Sequence, residues 1–172
     1  MSKLTTMEAV EPPQLRRVRP AGRPVGHKPT ASKAGGRRGR PSQDDYAQWV
    51  IAVARADLFQ LEECAPLAQL PGVRALARDY QRAILPTGAA IRDLLDEAVT
   101  DVQALCLVSE TLLAMRISEF LRIWYREGDT VVRVAVELKL SRSYIVHTVQ
   151  RRALDLVAKR FLDLAWRAEV SA

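Results

Sequence analysis

The segment TVVRVAVELKLSRSYIVHTV, from Thr130 to Val149, decides how this chain is read. Its apolar residues keep helical spacing from Val131 to Leu138, lapse at Lys139-Leu140-Ser141, and resume at Ile145. Two short helices joined by a three-residue turn are therefore expected. Upstream, Gly128 suits the left-handed residue that ends a helix, and Asp129 or Thr130 suits the next N-cap. Ser141 is placed to cap the second helix, which starts at Arg142. Ala135 stands where the two helices must cross closely, so a small side chain is needed. Val134, Leu138, Leu140, Ile145 and Val149 fill the interior of the unit. Arg142, Ser143, Val146, His147 and Gln150 then share the outward face, and Arg151 and Arg152 follow.

This pattern is a helix-turn-helix, whose second helix can enter a major groove while its N-terminal end meets phosphate. Base edges would be read by Arg142, Ser143, His147 and Gln150. Phosphates would be met by Arg133, Lys139, Ser141, Arg151 and Arg152. With the aromatic stretch Phe120–Tyr125, Glu127-Gly128, Val134-Ala135, Glu137-Leu138, Leu140-Ser141-Arg142-Ser143 and Ile145, residues 112–160 resemble the helix-turn-helix of region 4 of bacterial sigma factors. They are also similar to the C-terminal half of some phage late-operon transcription regulators that share it. The resemblance covers under a third of the chain and implies a small regulator rather than a full sigma factor. Where that family usually carries Gly, this chain has Lys139. The position tends to a positive φ, which a lysine adopts at about 1 kcal/mol.

Past Gln150 the apolar periodicity continues through Ala153, Leu156, Val157, Phe161, Leu164 and Trp166, with no Gly or Pro up to about Arg167. A reading helix needs only three or four turns. The extension must bury its stripe elsewhere, either on helices of residues 43–126 or on a second subunit.

Working toward the N-terminus, residues 93–126 are periodic through Leu94, Leu95, Ala98, Val102, Leu105, Leu112, Leu113 and Ile117. Ser109-Glu110-Thr111 interrupts them, so two helices or one kinked helix is expected. Phe120, Leu121, Ile123, Trp124 and Tyr125 form the most apolar patch and read as core. A helix is expected from about Val73 to Leu85, broken by Pro86-Thr87-Gly88. Residues 61–72, with Pro66, Pro71 and Gly72, read as a connection with room for one helical turn inside it. The first helix opens near Gln43, with Asp44 and Asp45 in its first turn and a stripe of Tyr46, Trp49, Val50, Val53, Ala54 and Leu58.

Charge divides the chain into the same three parts. The 172 residues carry a formal +6, with 26 basic and 20 acidic side chains. Residues 1–42 hold ten basic and two acidic residues, residues 43–129 eight and fourteen, and residues 130–172 eight and four. Both ends therefore suit a polyanion and the middle does not. The first segment also holds six of the nine prolines and five of the eight glycines, with few large apolar residues. Such composition cannot offset the entropy of ordering, so a disordered basic arm is expected. Within it, Gly22-Arg23-Pro24 and, more fully, Arg37-Arg38-Gly39-Arg40-Pro41 resemble the AT-hook core. That resemblance implies Arg37, Arg38 and Arg40 in a narrow A·T minor groove. General phosphate attraction or a merely solubilising tail accounts for the same composition.

The expected organisation is thus all-α: a disordered basic arm over 1–42, an acidic helical module over 43–128, and a helix-turn-helix with an extended last helix over 129–172. No catalytic or metal site is expected. The two histidines, His27 and His147, are too few for His-based chemistry, and no Cys-x-x-Cys, Gly-rich phosphate loop or Gly-x-Ser-x-Gly occurs. Glu62-Glu63 and Asp93, Asp96 and Glu97 read as a solvated face. Cys64 and Cys106 read as buried thiols of a cytosolic protein. No apolar run reaches the ~18 residues of a membrane span, and Met1 to Pro29 lacks a secretory signal.

The resulting expectation is a sequence-specific DNA-binding transcription regulator of bacterial or phage type, cytoplasmic and nucleoid-associated, without cofactor. Its partners would be double-stranded DNA, with RNA polymerase and a second copy as further candidates. Two other classes fit the same features. One is a phage DNA-packaging protein of small-terminase type or a recombination accessory protein; the other is an adaptor that binds polymerase or another protein through the acidic module.

Overall fold

Ser42 opens the first helix by a reciprocal cap. Its hydroxyl accepts from the Asp45 N–H at 3.2 Å, and the Asp45 carboxylate accepts from the Ser42 N–H at 2.8 Å. The cap bonds hold the Asp45 carboxyl below its usual range. A computed structural model describes residues 41–167, and every regular element among them is helical. The N-terminal arm, with Arg37, Arg38, Arg40, His27 and the Gly22-Arg23-Pro24 copy, lies outside the described residues. Helix α1 spans Gln43–Val53, α2 Leu58–Glu62, α3 Ala65–Ala68, α4 Pro71–Asp79 and α5 Pro86–Val108. Helix α6 spans Leu112–Phe120 and runs on through a π-helical stretch, Leu121–Arg126. Then come α7, Val131–Glu137, and α8, Arg142–Tyr144, which passes through a second π-helical stretch, Ile145–Gln150, into α9, Arg151–Arg167.

Two boundaries differ from the sequence reading. The helix expected over 73–85 stops at Asp79, and Pro86 begins α5 instead of breaking its predecessor. A proline lacks only an N–H that the first helical turn leaves unpaired anyway, so it starts a helix as readily as it ends one. The first helix also ends early, at Val53. Asp57 opens α2 with its own reciprocal cap to Gln60, and Leu58, expected in the core, is exposed as a result.

Helix α5 is the centre of the fold, packed by α2, α4, α6 and α9. Its Ile91, Leu95, Ala98 and Val99 are fully buried, and each buried Leu or Ile contributes about 1.5–3 kcal/mol. Helix α6 returns antiparallel to α5 after a turn at 109–111, where Glu110 adopts φ +48° and Thr111 caps α6. The Gln103 amide donates to the Ser118 carbonyl at 3.2 Å, and Arg126 donates to the Thr100 hydroxyl at 2.6 Å. Leu105 and Leu112, expected in the core stripe, stand exposed near this turn because the hairpin tip runs past the packed body. Cys106 is buried, and desolvation pushes its thiol upward; Cys64 is only half-buried, which corrects the expectation of two buried thiols.

The long last helix buries its stripe inside the same chain. Ala153, Val157, Ala158, Phe161, Leu162 and Ala165 are buried, and α9 packs on α5, α1 and α4. Arg160 pins it to α5 through Asp101 at 2.6 Å. At the crossing with α4 the backbones nearly touch: a Cβ on Gly72 would lie 2.8 Å from the Ala165 carbonyl oxygen.

Candidate nucleic-acid interface

The segment 128–150 is shaped first by local backbone chemistry. Gly128 takes φ +75° and ends the aromatic helix, with the Asp129 N–H returning to the Ile123 carbonyl at 3.1 Å. Thr130, one of the two expected caps, accepts from the Arg133 N–H at 3.3 Å. At the end of α7 the chain makes a Schellman turn. The Leu140 N–H reaches the Ala135 carbonyl at 3.0 Å, the Lys139 N–H reaches Val136 at 3.2 Å, and Lys139 itself stands at φ +53°. Ser141 then caps the next helix, accepting from the Tyr144 N–H at 3.2 Å.

Packing fixes which face looks outward. Val134, Ile145 and Val149 are fully buried and Ala135 nearly so, while Leu138 and Leu140 are half-buried against them. Arg142, Ser143 and His147 are exposed on the opposite side, and Val146 and Gln150 are partly so. Arg133, Lys139, Ser141, Arg151 and Arg152 are exposed as well. The side chains expected to meet base edges or phosphates between 133 and 152 thus all reach solvent. Lys139, Arg142, Arg151 and Arg152 make no ion pair with a described residue, whereas Arg133 approaches Glu137 at 3.9 Å. His147, Arg151 and Arg152 line one shallow recess with Leu113, Thr148 and Asp155. Asp155 is the acidic member of that basic surface.

The π-helical stretch Ile145–Gln150 lies in the middle of this face. Buried positions recur every four residues from Ile145 through Val149, Ala153, Val157, Phe161 and Ala165. In a straight α-helix each such step drifts about 40° around the axis. The wider π turn takes up part of that drift, so the helix keeps one side against the body from α8 to α9.

Three arginines, none of them singled out by the sequence, tie this unit to the rest. Arg55 donates to the Gly128 carbonyl at 2.6 Å and the Asp129 carbonyl at 3.0 Å, and lies 5.1 Å from the Trp124 ring centroid. Arg116 donates to the Tyr144 hydroxyl at 3.1 Å and covers that ring at 5.3 Å. Arg122 holds Glu119 and Glu137 at 2.8 Å each, and Glu127 as well. Hydrogen bonds that the Arg122 guanidinium donates to Glu119 and Glu137 push it further up from its ordinary value. No local signal marks Arg55 or Arg116, whose partners lie 74 and 28 positions away, and the local pairing of Arg122 with Glu119 gives no hint of its reach to Glu137, 15 positions on.

Of the acidic residues expected on a solvated face, Glu63 and Glu97 are exposed, whereas Glu62, Asp93 and Asp96 have structural partners. Glu62 accepts from the Gly88 N–H at 2.6 Å, Asp93 accepts from the Tyr80 hydroxyl, and Asp96 accepts from the Tyr125 hydroxyl at 2.9 Å. Arg92 reaches the Ala56 carbonyl and, at 3.4 Å, the Tyr125 oxygen. Burial pushes the Tyr125 phenol up to about 12. Among the described residues no three His, Cys, Asp or Glu side chains gather as a metal site would require, and no helix is long and apolar enough to cross a membrane. Comparison with family models, curated proteins and solved structures finds no match to this chain.

Proposed function

We propose that this protein is a sequence-specific double-stranded-DNA-binding regulator that reads a major groove with the helix beginning at Arg142. The observation that carries the reading is the turn between α7 and α8. A left-handed Lys139, a Schellman turn and a Ser141 cap set two helices against a small Ala135, leaving Arg142, Ser143, His147 and Gln150 outward. This arrangement supports reading the unit as a helix-turn-helix, the kind of unit that the sequence resemblance to sigma region 4 implies.

In this mechanism Arg142 offers two parallel donors, which suit the paired acceptors of a guanine edge, and Gln150 suits an adenine. Ser143 and His147 complete the reading face. Arg133, Lys139, Arg151 and Arg152 neutralise phosphates on either side. The Ser141 oxygen is held by its cap bond, which leaves its O–H to donate to phosphate. Residues 1–42, through Arg37, Arg38 and Arg40, add minor-groove or sequence-independent affinity, and RNA polymerase is the natural partner of a regulator of this type at the nucleoid.

Selection of bound duplexes from a random pool, at fixed salt, tests the reading. A single enriched motif is expected for the wild type. Arg142→Ala should relax preference at one or two positions, at about 1–3 kcal/mol of discrimination. Removal of residues 1–42 should weaken binding to all sequences and flatten the salt dependence. An enriched motif left unchanged by Arg142→Ala would remove the proposed reading helix.

A further inference from the structure

Of the three arginines that tie segment 128–150 to the body, two have their charge met inside the protein. Arg55 faces two backbone carbonyls, and Arg122 faces three carboxylates. Arg116 differs. Among the described residues its guanidinium donates to the Tyr144 hydroxyl at 3.1 Å, lies over the same ring at 5.3 Å, and forms no ion pair. Glu119, one turn further along α6, is taken by Arg122 at 2.8 Å. A hydroxyl and a ring face leave the formal charge of Arg116 uncompensated, and one bond occupies one of its five N–H donors. The side chain is half-buried, so part of it still reaches solvent. Its place follows from the packing of α6 on the Ile145–Gln150 stretch. Leu113 borders the recess of His147, Thr148, Arg151 and Arg152, and Arg116, one turn on, meets Tyr144, one turn before Thr148. The two helices run in opposite directions there. Arg116 therefore extends the basic flank of Arg151 and Arg152 by about 10 Å toward Arg142.

We infer that Arg116 and Tyr144 together hold a DNA phosphate on the flank of the reading helix. The inference rests on the major-groove reading above and adds to it a contact from α6, outside the helix-turn-helix. The Tyr144 oxygen accepts from Arg116, which leaves its own proton to donate. Arg116 keeps four further N–H groups for the same purpose. A phosphate oxygen takes both kinds of donor, and the ring beneath the guanidinium limits the directions in which it can turn. A base edge is a poorer fit. Tyr144 stands between exposed Ser143 and fully buried Ile145, off the outward face that Arg142 and His147 share. The contact therefore adds affinity without sequence preference.

Binding of the full chain to the duplex enriched in the selection above, measured from about 50 to 200 mM salt, tests it. Each phosphate contact steepens the logarithmic salt slope by about 0.9. Arg116→Gln keeps an N–H for the Tyr144 hydroxyl and removes the charge. It should lower the slope by about one, so that its affinity falls about 3.5-fold less than that of the wild type over this range. All sequences should weaken alike, and the enriched motif should stay the same. Arg116→Lys should restore the slope. Tyr144→Phe keeps the charge and the ring, so the slope should stay while affinity drops about two- to tenfold. Each variant should melt like the wild type, since α6 is held by the buried Ala114, Ile117 and Phe120. A wild-type slope in Arg116→Gln, or an altered motif in place of a uniform loss, would overturn the inference, because Arg116 would then only orient the reading helix. Either outcome leaves the major-groove reading standing. A wild type that enriches no motif removes that reading and this contact with it.

Discussion

Arg55, just past the end of α1, donates to the backbone carbonyl of Gly128 at 2.6 Å, across 73 positions of sequence. The same guanidinium reaches Asp129 and lies over the Trp124 ring. It thereby holds the strand of chain that leads into α7 against the first helix. Arg55→Ala should lower unfolding free energy by about 1–2 kcal/mol, since the site is exposed and water competes for both carbonyls. Arg55→Lys should recover only part, because one ammonium cannot reproduce the planar fork. Urea titration of the three proteins checks this, and equal midpoints would show that the contact is energetically idle.

Lys139 occupies φ +53°, where a Cβ is unfavourable. Lys139→Gly should therefore stabilise the fold by up to about 1 kcal/mol, the greater freedom of glycine in the unfolded chain offsetting some of the gain. If the side chain also meets a phosphate, the same change should weaken DNA binding and lower the salt slope by about one. The signature is a higher Tm with poorer affinity. A lower Tm would mean that the turn is not left-handed at this residue.

Gly72 allows α4 and α9 to meet backbone to backbone. An added Cβ would lie 2.8 Å from the Ala165 oxygen and 2.9 Å from its Cα, so neither neighbour is a side chain that can swing aside. Gly72→Ala should destabilise by about 1–3 kcal/mol despite the better helix propensity of alanine. Adding Ala165→Gly should not rescue it, because the clash is with backbone atoms. Calorimetry on the single and double variants decides the point.

Tyr125 links stability to alkaline pH. Its phenol is pushed up to about 12 from an ordinary value of 10.0, chiefly by burial. The neutral form is thus favoured in the fold. That contribution is complete below pH 10 and is lost as pH rises through about 12. Tyr80, raised by its bond to Asp93, acts in the same direction. Tyr125→Phe should lose about 1 kcal/mol at neutral pH, with the Asp96 bond gone, yet decline less steeply above pH 10. Parallel alkaline declines for wild type and variant would rule out Tyr125 as the source.

Much of segment 128–150 was legible because its decisive interactions are local. Gly128, Thr130, Lys139 and Ser141 act on backbone groups a few positions away, so their chemistry is written in the neighbouring residues. The spacing of Val134, Ala135, Ile145 and Val149 likewise placed Arg142 and His147 on the outer side. Pro86 was misread because a proline before a helix and one after it look alike until the tertiary contacts choose. Leu58, Leu105 and Leu112 were misassigned for a related reason: periodicity shows that residues share a face, not that anything covers it.

By itself, then, the sequence determined an all-helical middle and C-terminal part, the Thr130 and Ser141 caps, the left-handed Gly128 and Lys139, and the basic face of the helix that begins at Arg142. Each of these follows from interactions within about a turn of helix or from the sum of charges. The Ser42 and Asp57 caps and the left-handed Glu110 emerged only with the structure. Tertiary structure alone decided that α9 packs within its own chain, that Arg55, Arg116 and Arg122 bind the unit to the body, and that the α5–α6 tip stays bare. Those outcomes depend on which of several compatible apolar faces meet, and that choice is made by shape and by backbone approach at places such as Gly72, far from any local signal.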